Sequence, residues 1–94
     1  MREKTTEQKL VAAVKAAGGL ALKFTSPGFD GVPDRIVLLP GGKMAFVEVK
    51  APGEKPRPLQ LARHRLFRRL GFRVYVLDEK SQIGGMIDEI KNSV

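Results

Sequence analysis

Two carboxylates and one ammonium stand out for the chemistry their types and spacing allow. In G-V-P-D-R-I-V-L-L-P-G-G-K-M-A-F-V-E-V-K, residues 31–50, Asp34 opens one apolar run and Glu48 and Lys50 close the next, with Pro40, Gly41 and Gly42 between the runs. Two strands joined by so short a turn pair antiparallel, which returns the start of the first to the end of the second and sets Asp34 beside Glu48 and Lys50. Side chains alternate along a strand, so Met44, Phe46, Glu48 and Lys50 share one face. The charged pair thus continues an apolar row, and charges at the margin of a core are paired or hold a metal. Asp34, Glu48 and the Val49 carbonyl form an oxygen donor set suited to a hard divalent cation, Mg²⁺ or Mn²⁺, with Lys50 facing a phosphate or an attacking water.

Composition narrows the alternatives. The chain has 94 residues, no cysteine and a single histidine, His64. Disulfide frameworks and thiolate zinc sites are excluded, and serine–histidine or cysteine–histidine catalysis is disfavoured. The length fits one domain over residues 1–94 with a modest core, which a second copy would help to stabilise. The N-terminal segment has no apolar core of a signal peptide, and no apolar run is long enough to span a bilayer, so an intracellular, cytoplasmic location without membrane association is expected. The formal charge is +7. Between Ala51 and Arg73 lie Lys55, Arg57, Arg63, Arg65, Arg68, Arg69 and Arg73, opposed only by Glu54. A solvated basic helix face would account for such a run alone; next to a candidate metal site, contact with a phosphate backbone accounts for it better.

The remaining chain supplies the supports. Thr5 and Gln8 have the spacing of a capping box opening a helix, which stops at Gly18-Gly19 and buries Leu10, Val11, Val14 and Ala17. Glu7 lies on that stripe, as a first-turn acid in the helix dipole or as part of the site; Glu3 is expected before the helix. Residues 20–25 alternate Leu20, Leu22 and Phe24 against Ala21, Lys23 and Thr25, as a half-buried strand does. Residues 26–33 form a Pro- and Gly-rich loop whose Phe29 is a core plug or a base contact. Residues 35–39 read as a central strand covered on both faces. After a stiff basic connection, Pro58 opens a helix over about residues 59–70 with Leu59, Ala62, Leu66, Phe67 and Leu70 as its apolar stripe. Gln60 falls off that stripe, and His64 reads as a surface or DNA-facing residue. Residues 72–77 form a strand joining the sheet in parallel, and a final helix buries Ile83, Met86, Ile87 and Ile90.

Gly31-Val32-Pro33-Asp34, thirteen intervening residues, then Glu48-Val49-Lys50 and a downstream Pro58-Leu59-Gln60 resemble the PD-(D/E)xK nucleases, and within them the VRR-NUC family. The resemblance implies an α/β fold with a restriction-endonuclease-like αβββαβ core, a small mixed sheet flanked by helices. It implies catalytic roles for Asp34, Glu48, Lys50, Gln60 and Glu7, with Gln60 beside the lysine and Glu7 acting on metal directly or through water. It also implies phosphodiester hydrolysis leaving 5′-phosphate and 3′-hydroxyl ends. Stand-alone members resemble dimeric junction resolvases, so a homodimer acting on branched DNA, a four-way junction, is expected. Arg35, Lys55, Arg57, Arg63, Arg65, Arg68 and Arg69 are the expected backbone contacts. The alternatives are cleavage of flaps, ends or ordinary duplex, or a basic binding module without catalysis whose acids are structural.

Overall fold

The computed structural model describes residues 2–93, with side chains described from Thr5 onward. The elements are α1 (Arg2–Ala16), β1 (Leu20–Lys23), β2 (Arg35–Leu39), β3 (Lys43–Val49), α2 (Pro58–Arg69), β4 (Val74–Leu77), a 3₁₀ turn (Lys80–Gln82) and α3 (Ile83–Lys91). The four strands form one sheet in the order β1-β2-β3-β4. β1, β2 and β3 meander antiparallel, and β4, reached through α2, joins β3 in parallel. The result is the mixed sheet flanked by helices that the order of elements foretold. No helix among the described residues is long and apolar enough to cross a membrane.

One sheet face carries the main core. Ala21, Val37, Leu39, Ala45, Val47, Val49 and Leu77 pack there against Leu10 and Val14 of α1 and Ile83, Met86, Ile87 and Ile90 of α3. Both helix stripes are those the sequence periodicity predicts. The other face is covered less completely, by α2 and an aromatic cluster. Phe46 sits at its centre, 4.8 Å from Phe67, 5.5 Å from Phe24 and 5.8 Å edge-on from Phe72. Tilted and edge-on pairs at these separations contribute about 0.5–1.5 kcal/mol each beyond area burial.

Several expectations are corrected. α1 begins at Arg2 rather than at Thr5, because Arg2, Glu3 and Lys4 are good helix formers that extend it by a turn. Glu3 therefore lies inside the helix, and its side chain is outside the described set. In β1 it is Ala21 that enters the main core, while Leu20 and Leu22 are 56% and 45% exposed on the opposite face. Side-chain size explains the reversal: α1 packs directly over β1, and alanine takes little room beneath it. β2 is buried at Val37 and Leu39, but Leu38 is 39% exposed, so the strand is fully covered on one face only.

α2 departs furthest from its apolar pattern. Leu59 and Leu70 are exposed, and the buried residues are Gln60 and His64. The helix faces the end of the sheet where Glu48 lies, and a buried carboxylate selects hydrogen-bonding neighbours over leucines.

Candidate active site

Asp34 immediately precedes β2, beyond the last β2–β3 pair, Arg35 with Val47. Its main-chain carbonyl accepts the Phe24 N–H at 2.8 Å, and its carboxylate accepts the Val49 N–H at 3.0 Å. The side chain thus continues the ladder for one step after the backbone has left it. Within a strand the N–H and C=O of one residue point the same way, so the Val49 carbonyl opens toward the Asp34 side of β3. Gly31 fixes the approach to Asp34. It has φ +90°, and a Cβ there would stand 2.9 Å from Leu59 Cγ and 3.1 Å from Arg63 Cγ of α2. Arg63 closes the same contact, donating from Nε to the Asp30 carbonyl at 2.7 Å with its guanidinium 3.8 Å above the Phe29 ring. The loop is therefore clamped on α2, and Phe29 serves as the platform for that clamp.

Glu48 is 1% exposed, deeper than any other charged residue described. Gln60 Nε2 donates to its Oε2 at 2.9 Å, and Lys50 Nζ approaches the same oxygen at 3.4 Å. Gln60 is itself held, because its Oε1 accepts the Arg57 N–H at 2.9 Å at the start of α2. That local bond satisfies an orphan donor of the helix terminus and fixes which end of the amide faces Glu48. Gln60 reaches the acid, with the lysine approaching the same oxygen.

Glu7 lies around the end of the sheet from Glu48. Arg35 Nε donates to Glu7 Oε2 at 3.2 Å, and Arg35 Nη1 donates to the Ala21 carbonyl at 3.0 Å. Strand alternation puts Arg35 on the α1 face and Glu48 on the α2 face, which separates the two acids. No group of three His, Cys, Asp or Glu able to hold a metal occurs among the described residues. Glu7 and Asp34 still line a common cleft of about 240 Å³ with Lys23, Phe24 and Thr25. Lys23 and Thr25 had no distinguishing signal in the sequence, since their place depends on how the end of β1 meets α1.

Asp34, Glu48 and the Val49 carbonyl fit a hard divalent cation by two observations. Glu48 Oε1 is buried with no hydrogen-bond partner. Asp34 holds its proton above the ordinary carboxylate range: burial is the chief cause, with the Glu48 and Glu7 charges adding to it, while the Val49 N–H and Lys50 oppose it. A cation would relieve both. A raised folded-state pKa means that the unfolded chain binds fewer protons, so stability falls as pH rises from the unfolded carboxylate's pKa through the folded one. Asp34→Asn keeps an acceptor for Val49, so in EDTA it is expected to melt above wild type at neutral pH, the gap closing in acid. A gap constant across pH in thermal melts would refute this origin.

The basic residues divide into two groups. Arg35 and Arg63 are taken up internally as described, and Arg68 Nη2 donates to the Val74 carbonyl at 2.8 Å. Lys55, Arg57, Arg65 and Arg69 are exposed. His64, expected at the surface, is instead fully buried, with Nε2 3.7 Å from Glu48 Oε1. The reason is its place one turn after Gln60, on the face that α2 turns toward the acid.

The model of the VRR-NUC domain matches residues 2–80. A protein named "Putative nuclease p44" of Acyrthosiphon pisum secondary endosymbiont phage 1 is 55% identical over 80 residues, 85% of this chain and 86% of that one. A solved structure titled as a VRR_NUC domain superposes with a TM-score of 0.88 at 36% identity, covering 94% of this chain and 96% of the other. With the carboxylate pair, the lysine and the glutamine assembled at one end of such a sheet, these matches lead to one assignment: the chain belongs to the VRR-NUC family of nuclease domains.

Proposed function

We propose that this protein is a metal-dependent endonuclease that hydrolyses DNA phosphodiester bonds, acting as a homodimer on four-way junctions. The observation that carries the catalytic reading is the convergence of Asp34 and Glu48, with one buried Glu48 oxygen left unpartnered, beside Lys50. Asp34, Glu48 and the Val49 carbonyl would hold Mg²⁺ or Mn²⁺. Bound there, such a cation supplies Lewis acidity toward a water and neutralises charge on the scissile phosphate. Lys50 orients the attacking water and stabilises the charge that builds up on the phosphoryl oxygens. Gln60 keeps Glu48 in place, and Glu7, released from Arg35, acts through water at the cleft it shares with Asp34.

Recognition of shape follows from the composition of the exposed cations. Lys55, Arg57, Arg65 and Arg69 suit contact with phosphates, which positions DNA without reading its sequence. Alanine at Arg65 or Arg69 is expected to weaken binding to all sequences alike and to reduce the slope of log affinity against log salt by about one each. Fluorescence anisotropy over a salt series measures this; an unchanged slope would remove that residue from the interface.

A twofold dimer presents two active sites to symmetry-related strands, as paired incision of a junction requires. The test is incision of end-labelled four-way junction beside linear duplex, flap and open-ended DNA of matched sequence, with Mg²⁺, Mn²⁺ or EDTA. Metal-dependent, paired cutting of the junction is expected, with a dimer by light scattering. Equal cutting of all the DNAs would keep the nuclease and discard the junction preference. A monomer that still cuts in pairs would refute the dimer. Absence of Mn²⁺ or Mg²⁺ binding by calorimetry would favour the non-catalytic basic module.

A further inference from the structure

One buried polar side chain beside Glu48 has no part in the chemistry just described. His64 is wholly buried on α2, and both its ring nitrogens, like Glu48 Oε1, have no hydrogen-bond partner. Leaving a buried polar atom unpaired costs about 1–3 kcal/mol, so three in one place are not the mark of a side chain that merely fills space. A leucine would occupy similar room without that cost. Geometry supplies the explanation. His64 Nε2 is 3.7 Å from Glu48 Oε1, roughly 0.8 Å beyond an ordinary N–H···O contact, a gap that a modest side-chain rotation closes.

We propose that His64 is a positioning residue for Glu48, its Nε2–H donating to Oε1 while Gln60 holds Oε2. The inference rests on the reading of Glu48 as a metal ligand. Residues four apart on a helix share one face, so α2 grips both oxygens of one carboxylate from a single side. Gln60 and Lys50 both approach Oε2, which leaves the carboxylate free to swing about its last bond; a donor on the other oxygen ends that freedom. Each carboxylate oxygen has about two acceptor positions, so Oε1 keeps one for a cation. Partners that orient a ligand in this way typically account for 10–100-fold in metal affinity or activity. The arrangement also gives a reason for a histidine on a helix face otherwise suited to packing.

Three proteins test it: wild type, His64→Gln, whose amide nitrogen can reach the Nε2 position, and His64→Leu, which has no donor. The first readout needs neither DNA nor metal. In EDTA-treated wild type, ¹⁵N-resolved imidazole spectra are expected to place the proton on Nε2, and the Gln60 side-chain amide signals are expected to shift in His64→Leu. A proton on Nδ1 alone overturns the proposal, since the donor to Glu48 would be missing. The second readout is titration with Mn²⁺ alone. Affinity is expected to weaken about 10–100-fold in His64→Leu and to stay close to wild type in His64→Gln, with kcat falling in the leucine variant far more than KM for DNA rises. Wild-type Mn²⁺ affinity in a folded His64→Leu, or a His64→Gln as impaired as His64→Leu, overturns it. Should wild type itself bind no Mn²⁺, the metal reading of Glu48 fails, while the tautomer and the Gln60 signals still decide whether His64 grips that carboxylate.

Discussion

Asp34→Ala and Lys50→Ala are each expected to abolish detectable incision while leaving DNA binding within a few fold of wild type. The two losses have different causes. Asp34 supplies one of two carboxylates and also accepts the Val49 N–H, so its removal would deprive the proposed cation of a ligand and would free the end of β3. Lys50 is 15% exposed and its Nζ is 3.4 Å from Glu48 Oε2. In the proposed mechanism its loss removes the ammonium that stabilises charge on the phosphoryl oxygens beside the metal, an effect worth about 10²–10³ in rate for a single well-placed stabilising donor. Mn²⁺ titration separates the two: affinity falls in Asp34→Ala and is retained in Lys50→Ala. Binding is expected to survive in both because the cations proposed to contact DNA, such as the exposed Lys55, Arg57, Arg65 and Arg69, lie outside this pair. Incision by either variant at the wild-type rate would refute the assigned site.

Gly19→Ala is expected to be the most damaging small substitution outside the site, with stability lowered by several kcal/mol. A Cβ there would lie 2.0 Å from the Leu38 carbonyl oxygen and 2.9 Å from Leu39 Cδ2. The first contact is with backbone in β2, which cannot move aside as a flexible side chain can. Relief requires shifting the end of α1 or opening the β1–β2 pairing, both of which disturb the main core; named steric and packing faults of this kind produce the largest effects of single substitutions. Gly19 also donates its N–H to the Val14 carbonyl at 2.9 Å, the closing bond of α1. Chemical denaturation measures the loss. A variant as stable as wild type would show that the helix end and β2 can separate freely.

Much of the scaffold was legible in the linear pattern. Leu10 and Val14 on α1 and Ile83, Met86, Ile87 and Ile90 on α3 are buried as their spacing requires, because a helix facing an apolar sheet must place apolar residues at that period. The hairpin of β2 and β3 was equally readable, and with it the meeting of Asp34 with the end of β3. Alternation in β3 by itself separates Val47 and Val49 from Glu48 and Lys50, and the parallel β4 follows from the helix that precedes it.

What remained hidden depends on contacts between elements. The apolar stripe assigned to α2 holds at Phe67, which packs on Phe46, but fails at Leu59 and Leu70, which stay exposed, since the helix meets a buried carboxylate and Gln60 and His64 turn inward to answer it. Periodicity records hydrophobicity along one element and carries no term for a polar group arriving from another. The same limit explains β1, where the space under α1 admits Ala21 and leaves Leu20 and Leu22 outside. It explains Arg35 and Arg63 as well: their charge was plain, but a salt bridge to Glu7 and a clamp on the Phe29 loop exist only once distant segments are brought together. Residue types and local spacing therefore determined which groups could do the chemistry, whereas packing across the sheet decided which cations stay exposed and how Glu48 is held.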